Sequence, residues 1–287
     1  MYAPSELIIN ADGSAFHLHV QPDQLADKVI LVGDQNRVDL VASHFDTIEC
    51  TVQNREFRTI TGTKGGKRIS CVSTGIGTDN IDIVMTELDA LANIDFATRE
   101  DKPSMRQLQL VRIGTCGGMQ PATPEGTFVA SAVSIGFDGL LNYYAGRDQV
   151  ADVAFEEAFV KQTGYSRRFA APYCVRNSAS LLERIAQDDM VRGATISAPG
   201  FYGPQGRCIR LPLADPLLND KIRAFSYQGI QVNNFEMEGS AIAGMARLLG
   251  HEALTVCLVI ANRFGKRFIG DYAVKMEDLV SRVINRL

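Results

Sequence analysis

The sequence predicts an α/β protein in which helices cover both faces of a central sheet. Three observations indicate this class: apolar runs rich in β-branched residues, amphipathic segments between them, and glycine-rich turns where several runs end. Alternation of the two element types is typical of a three-layer α/β/α fold. No repeat, low-complexity tract or linker interrupts the pattern, so we expect a single domain over residues 1–287.

Five apolar runs are predicted to be strands, and several are apolar throughout, as expected of strands buried on both faces. The runs are 28–33, 67–73, 107–113, 127–135 and 252–261. Between them, apolar residues recur at the spacing of an amphipathic helix. The predicted helices are 79–93, which is the clearest, 239–249 and 275–286.

The charge balance argues against a nucleic-acid-binding protein. The chain has 29 Lys and Arg against 33 Asp and Glu, a net charge of −4, and no block of like charge. Affinity for nucleic acid rests on a basic face, which this composition does not supply. A hydrophobic content of 46% with 22% charged residues is typical of an ordinary globular chain.

Nothing in the sequence predicts a membrane span, an export signal or a cross-linked framework. The apolar run 253–261 is far below the ~18 residues that a membrane helix needs. The first residues carry no cationic stretch followed by an apolar one, so we expect a cytoplasmic protein. The six cysteines stand at long spacings without a CxxC pair, which suggests neither a zinc site nor disulfides. We expect most of them to be buried.

Glycine-rich turns are predicted where three of the apolar runs end. Gly33 follows the first run, GIG at 75–77 follows the second, and GTCGG at 114–118 follows the third. In open α/β sheets, ligands bind beyond the carboxyl ends of the strands, where glycine lets the backbone approach them. None of the turns matches a P-loop or a dinucleotide-binding fingerprint, so triphosphate and dinucleotide binding are disfavoured.

Arginines near these glycines suggest an anion site. Arg37 comes four residues after Gly33, and Arg112 is followed by the hydroxyl of Thr115. Guanidinium groups, a hydroxyl and free backbone amides are typical of a phosphate site. The alternative for Arg37 is a structural position on the first turn of a helix. Arg112 lies within an apolar run, where an unpaired charge is costly, so it must meet an anion or a carboxylate.

A pair of carboxylates precedes the predicted helix 239–249. Glu236 and Glu238 stand two positions apart, so they project to the same side while Met237 points elsewhere. Two acids flanking a sugar suggest chemistry at a glycosidic bond. Stabilisation of the helix N-terminus by negative charge is the alternative.

The loop FYGPQGR at 201–207 carries groups that could bind a flat heterocycle. Phe201 can stack on a ring, and Gln205 and Arg207 offer an amide and a guanidinium to its edge. A surface loop rich in glycine and proline is the alternative interpretation.

Six motifs occur in the order and spacing of the nucleoside phosphorylase family, and they most resemble its uridine phosphorylase branch. The motifs are GDQNR (33–37), STGIG (73–77), RIGTCGG (112–118), FYGPQGR (201–207), NFEMEG (234–239) and IANR (260–263). The resemblance implies a three-layer α/β/α domain with a central mixed sheet. It also implies reversible phosphorolysis of uridine to uracil and ribose 1-phosphate, a pyrimidine salvage reaction. Inorganic phosphate would be a co-substrate, and no cofactor is implied.

The same resemblance implies roles for individual residues. His17 would come from a neighbouring subunit to bind the ribose 5′-hydroxyl, Glu238 would bind the 2′-hydroxyl, and Met237 would pack on the sugar. The catalytic residues would be Arg112, Gln205, Arg207 and Glu238. The phosphate-binding residues would be Gly33, Arg37, Arg112, Thr115 and, from the neighbouring subunit, Arg55. The nucleoside-binding residues would be His17, Thr115, Gly117, Phe201, Gln205, Arg207, Glu236, Met237 and Glu238.

A site shared between subunits implies a homo-oligomer built on a dimer, and dimers and hexamers both stay open. The expected partners are small molecules only: uridine, uracil, phosphate and ribose 1-phosphate, with neither nucleic acid nor membrane. Segment 96–106 looks like an insertion between a helix and a strand, and its part in assembly stays open.

The end of the last predicted strand bears on which base is bound. In uridine phosphorylases, a glutamine and an arginine like Gln205 and Arg207 bind the carbonyl, N–H and carbonyl edge of uracil. Purine-specific relatives place an aspartate near the end of this strand to protonate the base. Here 260–263 reads IANR and contains no acid. The resemblance therefore favours a pyrimidine.

The chain departs from the family pattern in two places. In the base loop Gly203 precedes Pro204, and Gly206 stands where relatives often carry an acid, which leaves the course of that backbone open. After GIGT, bacterial members tend to have small residues and proline, whereas this chain has an aspartate and an asparagine. Some members hold a potassium ion at the dimer interface, and the corresponding positions are Glu56, Ile76 and Asn80.

Two other kinds of function stay open from the sequence. One is a related enzyme, either a phosphorylase for another nucleoside such as thymidine or deoxyuridine, or a nucleosidase that uses water. The other is a protein that binds nucleosides without turnover. Phosphate dependence and product formation distinguish these from uridine phosphorolysis.

Overall fold

The computed structural model describes residues 1–287, and its centre is a sheet of twelve strands. The strands of the sheet are β1 (Lys28–Val32), β2 (Thr47–Asn54), β3 (Phe57–Lys64), β4 (Lys67–Ser73), β7 (Gln109–Gly118), β8 (Phe128–Gly136), β9 (Tyr173–Arg176), β10 (Val191–Ser197), β11 (Ser226–Tyr227), β12 (Ile230–Glu236), β13 (Glu252–Asn262) and β14 (Arg267–Phe268). Two further short strands, β5 (Ile94–Asp95) and β6 (Glu100–Asp101), pair with each other. The helices are α1 (Gln35–Ala42), α2 (Thr78–Asn93), α3 (Arg147–Val150), α4 (Val153–Thr163), α5 (Ala179–Ile185), α6 (Leu218–Ala224), α7 (Gly239–Leu248) and α8 (Ala273–Arg286).

The sheet is mixed, as the family resemblance implies. Its strand order is β11-β12-β10-β8-β13-β7-β1-β4-β3-β2, with β9 beside β8 and β14 beside β13. β1 is parallel to β4 and β7, whereas β8 is antiparallel to β13. β12 also pairs antiparallel with β7, with Phe235 opposite Gly117. This extra pairing closes β7, β13, β8, β10 and β12 into a barrel, a feature that the sequence patterns do not predict.

Apolar side chains are buried on both faces of β1, which makes it a central strand. Ile30 and Val32 pack in the cluster that contains residues of α1, α5 and α8. Val29 and Leu31 pack in the cluster that contains residues of α2 and α7. A third cluster joins the barrel strands to α4 and α6. The predicted layering of helices on both faces of a sheet is therefore confirmed.

The predicted strands and helices all form, but the glycine-rich segment 114–118 is not a turn. It continues β7 and pairs with β13 along its length. The glycines serve close packing: a Cβ on Gly114 would overlap the guanidinium of Arg112, and a Cβ on Gly118 would overlap the carbonyl oxygen of Thr123. The prediction of a turn after 107–113 was wrong because a run of glycines signals close approach as well as reversal.

Segment 96–106 follows α2, as predicted, and anchors the start of the chain. Arg99 adopts a left-handed φ of 58° at the tip between β5 and β6. Its carbonyl oxygen accepts a hydrogen bond from the backbone N–H of Tyr2 at 2.7 Å, and its guanidinium donates to the carbonyl of Leu7. Lys102 donates to the carbonyl of Ala92 at 2.9 Å, which ties the hairpin to the end of α2. The insertion thus holds the N-terminal segment in place.

None of the helices combines the length and the apolar character that crossing a bilayer requires. All six cysteines are unpaired. Cys71, Cys116, Cys174 and Cys257 are buried, as expected for most of them.

Candidate active site

A cavity of about 830 Å³ lies beyond the carboxyl ends of the central strands, where the sequence predicts a ligand site. Its walls come from the turns that follow β1 and β4, from β7, from the ends of β12 and β13, and from the loop 201–207. Eleven predicted site residues line it together: Gly33, Arg37, Arg112, Thr115, Gly117, Phe201, Gln205, Arg207, Glu236, Met237 and Glu238. Long-range folding therefore brings almost the whole predicted set into one space.

Arg37 presents a guanidinium to the cavity from the first turn of α1. Asp34 caps this helix by accepting from the backbone N–H of Asn36 at 3.0 Å, which fixes where the helix begins. The only hydrogen bond of the Arg37 side chain goes to the carbonyl oxygen of Ile113, at 3.4 Å. Burial, together with the nearby positive charge of Arg112, lowers the pKa of Arg37. An anion bound here would offset both costs.

Arg112 lies in an apolar strand, where its charge was predicted to need an anion or a carboxylate as a partner. The structure shows that carboxylates are its partners. Its side chain is buried between the two predicted acids, donating to Glu238 and lying 3.3 Å from an oxygen of Glu236. Burial opposes the charge on Arg112, but the two glutamates prevail and raise its pKa. For Glu238, burial dominates and raises the pKa against the attraction of Arg112. The three groups form a desolvated charge cluster whose net charge is negative when all are ionised.

The two glutamates are held by different hydrogen bonds. Glu236 accepts from the backbone N–H groups of Glu238 and Gly239, both at 2.9 Å, and from the hydroxyl of Ser197. It therefore stabilises the N-terminus of α7. Glu238 accepts from the backbone N–H of Gly77 at 2.7 Å in addition to its contact with Arg112. The shared contact with Arg112 confirms that the two side chains project to the same side.

The base loop forms a compact turn around a buried amide. Gly203–Gln205 is one turn of 3-10 helix, and Gln205 is only 3% exposed. The side-chain oxygen of Gln205 accepts from Arg207 at 2.8 Å and from Arg263 at 3.0 Å. The Arg207 guanidinium lies 3.5 Å from the centre of the Phe201 ring and donates to the Phe201 carbonyl oxygen. Gln205 and Arg207 are thus adjacent, as predicted, while the stacking face of Phe201 is covered by Arg207.

Arg263 and Cys116 are among the residues at this site for which the sequence suggests no role. Arg263 reaches Gln205 from the end of β13, and burial beside Arg207 lowers its pKa to about 10. Its signal was a cation directly after a central strand in a glycine-rich neighbourhood. Cys116, one of the cysteines for which the sequence suggests no site, lines the cavity beside Thr115. No sequence signal separates it from the other buried cysteines.

Two predicted residues lie outside the cavity of their own chain. Arg55 is exposed in the turn between β2 and β3, with its guanidinium 5.9 Å from the ring centre of Phe16. His17 lies beside it, because Asn54 donates to the His17 carbonyl oxygen at 2.8 Å. Both are near the cavity mouth, since Gln35 lines the cavity and donates to the carbonyl oxygen of Arg55 at 2.6 Å.

Three groups suggested as cation ligands also meet at the mouth: Glu56, Ile76 and Asn80 all line it. Asn80 and Glu56 both pack against Gly75, where a Cβ would overlap the Asn80 amide. One carboxylate with amide and carbonyl oxygens is a donor set that suits a hard cation. The structure contains no group of three or more His, Cys, Asp or Glu arranged to hold a metal.

The fold and the cavity define an α/β protein with one large cavity at the carboxyl ends of the central strands, lined by arginines, two glutamates and a glutamine–arginine pair. The chain belongs to the phosphorylase superfamily, whose family model matches residues 27–285.

Relatives within this family include proteins of two specificities. A uridine phosphorylase of Thermococcus kodakarensis is 27% identical over 263 residues, covering 90% of this chain and 80% of the relative. A purine nucleoside phosphorylase of the DeoD type from Alkaliphilus metalliredigens is 33% identical, covering 85% of this chain and 86% of the relative. The crystal structure of a Trypanosoma brucei nucleoside phosphorylase, described as showing uridine phosphorylase activity, has a TM-score of 0.88 and 29% identity and covers 98% of this chain and 99% of that one.

Proposed function

We propose that the protein is a uridine phosphorylase, which cleaves uridine with inorganic phosphate to give uracil and ribose 1-phosphate. The observation that carries this proposal is the meeting of three kinds of group in one cavity. Arg37 suits an anion, Glu238 suits a sugar hydroxyl, and Gln205 with Arg207 suits the edge of a base. The uridine phosphorylases among the relatives support the same substrate.

The reaction needs no nucleophile from the protein. An oxygen of phosphate forms a bond to ribose C1′ as the bond from C1′ to uracil N1 breaks, and the electron pair of that bond leaves with the base. Arg37, Arg112, Thr115 and the backbone around Gly33 would hold the phosphate for this attack. Holding both reactants in line accounts for much of the rate enhancement of such a reaction.

Charge on the departing uracil would be stabilised by Gln205 and Arg207. A carbonyl oxygen has two lone pairs, and both lone pairs of the Gln205 oxygen already accept from arginines. Accepting the uracil N–H therefore requires one arginine to withdraw. Arg207, which is only half-buried, would move from Gln205 and Phe201 to a uracil carbonyl oxygen. Donors placed in advance at developing charge typically contribute about 10²–10³ in rate each.

The end of β13 favours a pyrimidine over a purine. Ile260 and Ala261 line the cavity there without an acidic group. Asn262 is fully engaged, because its amide donates to the carbonyl oxygens of Gln120 and Thr123 and its oxygen accepts from Gly265. No carboxylic acid on this strand end can deliver a proton to a purine.

The proposal includes a site completed by a second copy of the chain. Arg55 and His17 lie close together near the mouth of the cavity and are not among the residues that line it in their own chain. A twofold axis near the mouth would place both against the neighbouring cavity, with Arg55 at the phosphate and His17 at the ribose 5′-hydroxyl. Ile76, which lines the mouth and is 70% exposed, would be buried by the same contact. A monovalent cation held by Glu56, Ile76 and Asn80 would lie at this interface.

The proposal also covers cofactor use and the cellular compartment. The enzyme would use no cofactor besides its co-substrate phosphate. It would act in the cytoplasm, in line with six unpaired cysteines, since reducing compartments keep thiols free.

Purine nucleoside phosphorolysis is the second candidate, favoured by the 33% identity to a purine nucleoside phosphorylase. Uridine and inosine, each supplied with inorganic phosphate, separate the two candidates in one absorbance assay of base release. We expect cleavage of uridine with a kcat/KM at least about a hundredfold above that for inosine, since a site that matches a hydrogen-bonding edge rejects a base that lacks it. A preference for inosine would overturn the assignment of the base.

A further inference from the structure

Glu87, on helix α2, binds the turn that contains His17 through its carboxylate. Glu87 accepts from the backbone N–H of His17 at 3.0 Å and from the backbone N–H of Leu18 at 2.9 Å. It also lies 2.6 Å from Nδ1 of the His17 ring. The Glu87 side chain is only 13% exposed, so its carboxylate is largely desolvated, which costs free energy. All three of these contacts go to the one turn that contains His17. None of the surrounding secondary structure depends on the third contact, which goes only to the imidazole.

This contact fixes the orientation of the ring and the tautomer of its neutral form. A carboxylate only accepts, so Nδ1 carries the hydrogen and the neutral ring keeps Nε2 as its acceptor. Two aromatic neighbours pack at steep angles on the imidazole: Phe16 at 4.7 Å and Phe57 at 6.4 Å between ring centres. The His17 side chain is 26% exposed, and Nε2 has no partner within the chain.

We propose that Glu87 is a positioning residue for substrate recognition, which holds His17 so that Nε2 accepts a hydrogen bond from the 5′-hydroxyl of a nucleoside in the neighbouring subunit's site. The proposal deepens the proposed function and rests on it. A carboxylate that orients a histidine through its other ring nitrogen is a general device for fixing the tautomer. Here one chain would supply both the carboxylate and the histidine, and the histidine would bind the substrate of the other chain.

The test compares uridine with 5′-deoxyuridine, which keeps the base and the glycosidic bond and lacks only the 5′-hydroxyl. We expect the wild-type protein to prefer uridine by about tenfold in kcat/KM, the magnitude of one net hydrogen bond. His17→Ala should abolish the preference. Glu87→Ala should lower it to within about twofold of the His17→Ala value and leave the KM for phosphate unchanged. The double variant His17→Ala with Glu87→Ala should show no further loss of the preference.

Glu87→Gln guards against a folding defect in Glu87→Ala. Its amide offers one accepting oxygen instead of two, so it should fold normally and keep a preference between those of the wild type and of Glu87→Ala. A matched control stands two positions along α2: Asp89 lies 3.1 Å from Nε2 of His251, in a second histidine–carboxylate pair that does not touch the cavity. Asp89→Asn should leave the preference for uridine unchanged.

The outcomes separate this inference from the proposed function. If the wild-type protein releases no uracil from uridine and phosphate, both are overturned. If it does so but Glu87→Ala and Glu87→Gln lower the kcat/KM of both nucleosides equally, Glu87 is a structural residue and this inference alone is wrong. The same holds if additivity is found in the double variant.

Discussion

In the function that we propose, single residues of the loop 201–207 select the substrate. Gln205 is buried and accepts from two arginines, whereas Arg207 is half-buried and lies on the Phe201 ring. The sequence predicts the residue types of this loop, because an aromatic ring, an amide and a guanidinium within seven positions can stack on a heterocycle and hydrogen-bond to its edge. The sequence does not predict the contact between Arg263 and Gln205, because the two residues are 58 positions apart.

Replacing Arg207 tests this arrangement most simply. Arg207→Ala should lower kcat for uridine phosphorolysis by about 10²–10³, because it removes a donor at the developing negative charge. Folding should be unaffected, since Arg207 makes no ion pair and its hydrogen bonds stay within the loop 201–207. Arg210→Ala, in the same loop and exposed, is the matched control and should retain full activity. Turnover of Arg207→Ala at the wild-type rate would contradict the assignment of the base-binding residues.

At the scale of elements, periodicity predicts five of the fourteen strands and three of the eight helices, namely those whose apolar residues recur at a regular spacing. β1 and α2 follow from apolar spacing. The pairing of β12 with β7 and the extension of β7 through 114–118 do not follow, because glycine carries no pattern of burial. Those pairings bring Glu236 and Glu238, at the end of β12, to Arg112 on β7. The strand pairings that the sequence does not predict are therefore the ones that assemble the charge cluster.

Gly114 links β7 to this cluster and supplies a prediction. Gly114→Ala would place a Cβ where the Arg112 guanidinium lies, so the side chain would have to leave Glu236 and Glu238. We expect a loss of about 1–3 kcal/mol in the free energy of unfolding, measured with urea, and a raised KM for phosphate.

Gly203→Ala is the control for this variant, because a Cβ there would have no atom within 4 Å and the φ is not left-handed. It should unfold at the wild-type urea concentration. A Gly114→Ala protein with wild-type stability and an unchanged phosphate KM would show that Arg112 is not confined as described.

At the scale of the whole molecule, the cavity holds the residues that we propose for phosphate, ribose and base, except for the two that the family resemblance assigns to a neighbour. Arg55 and His17 lie outside it, close together near its mouth. The sequence could suggest their sharing only through resemblance, since no periodicity or spacing encodes a contact between chains.

A shared site predicts complementation between two damaged chains. Arg37→Ala and Arg55→Ala should each raise the KM for phosphate strongly and the KM for uridine little. When the two chains are co-expressed, half of the dimers should be hybrids, and each hybrid should contain one site with both arginines intact. About a quarter of the sites should then show the wild-type KM for phosphate. If Arg55 serves its own chain, co-expression will produce no such sites.

The central claim is that this cavity transfers ribose from uracil to phosphate. The most direct measurement follows uridine and inorganic phosphate with the wild-type protein by phosphorus NMR, with a parallel sample lacking phosphate. We expect a ribose 1-phosphate signal that grows in step with released uracil, and no uracil without phosphate. Uracil released at the same rate in both samples, with free ribose as the second product, would contradict the claim.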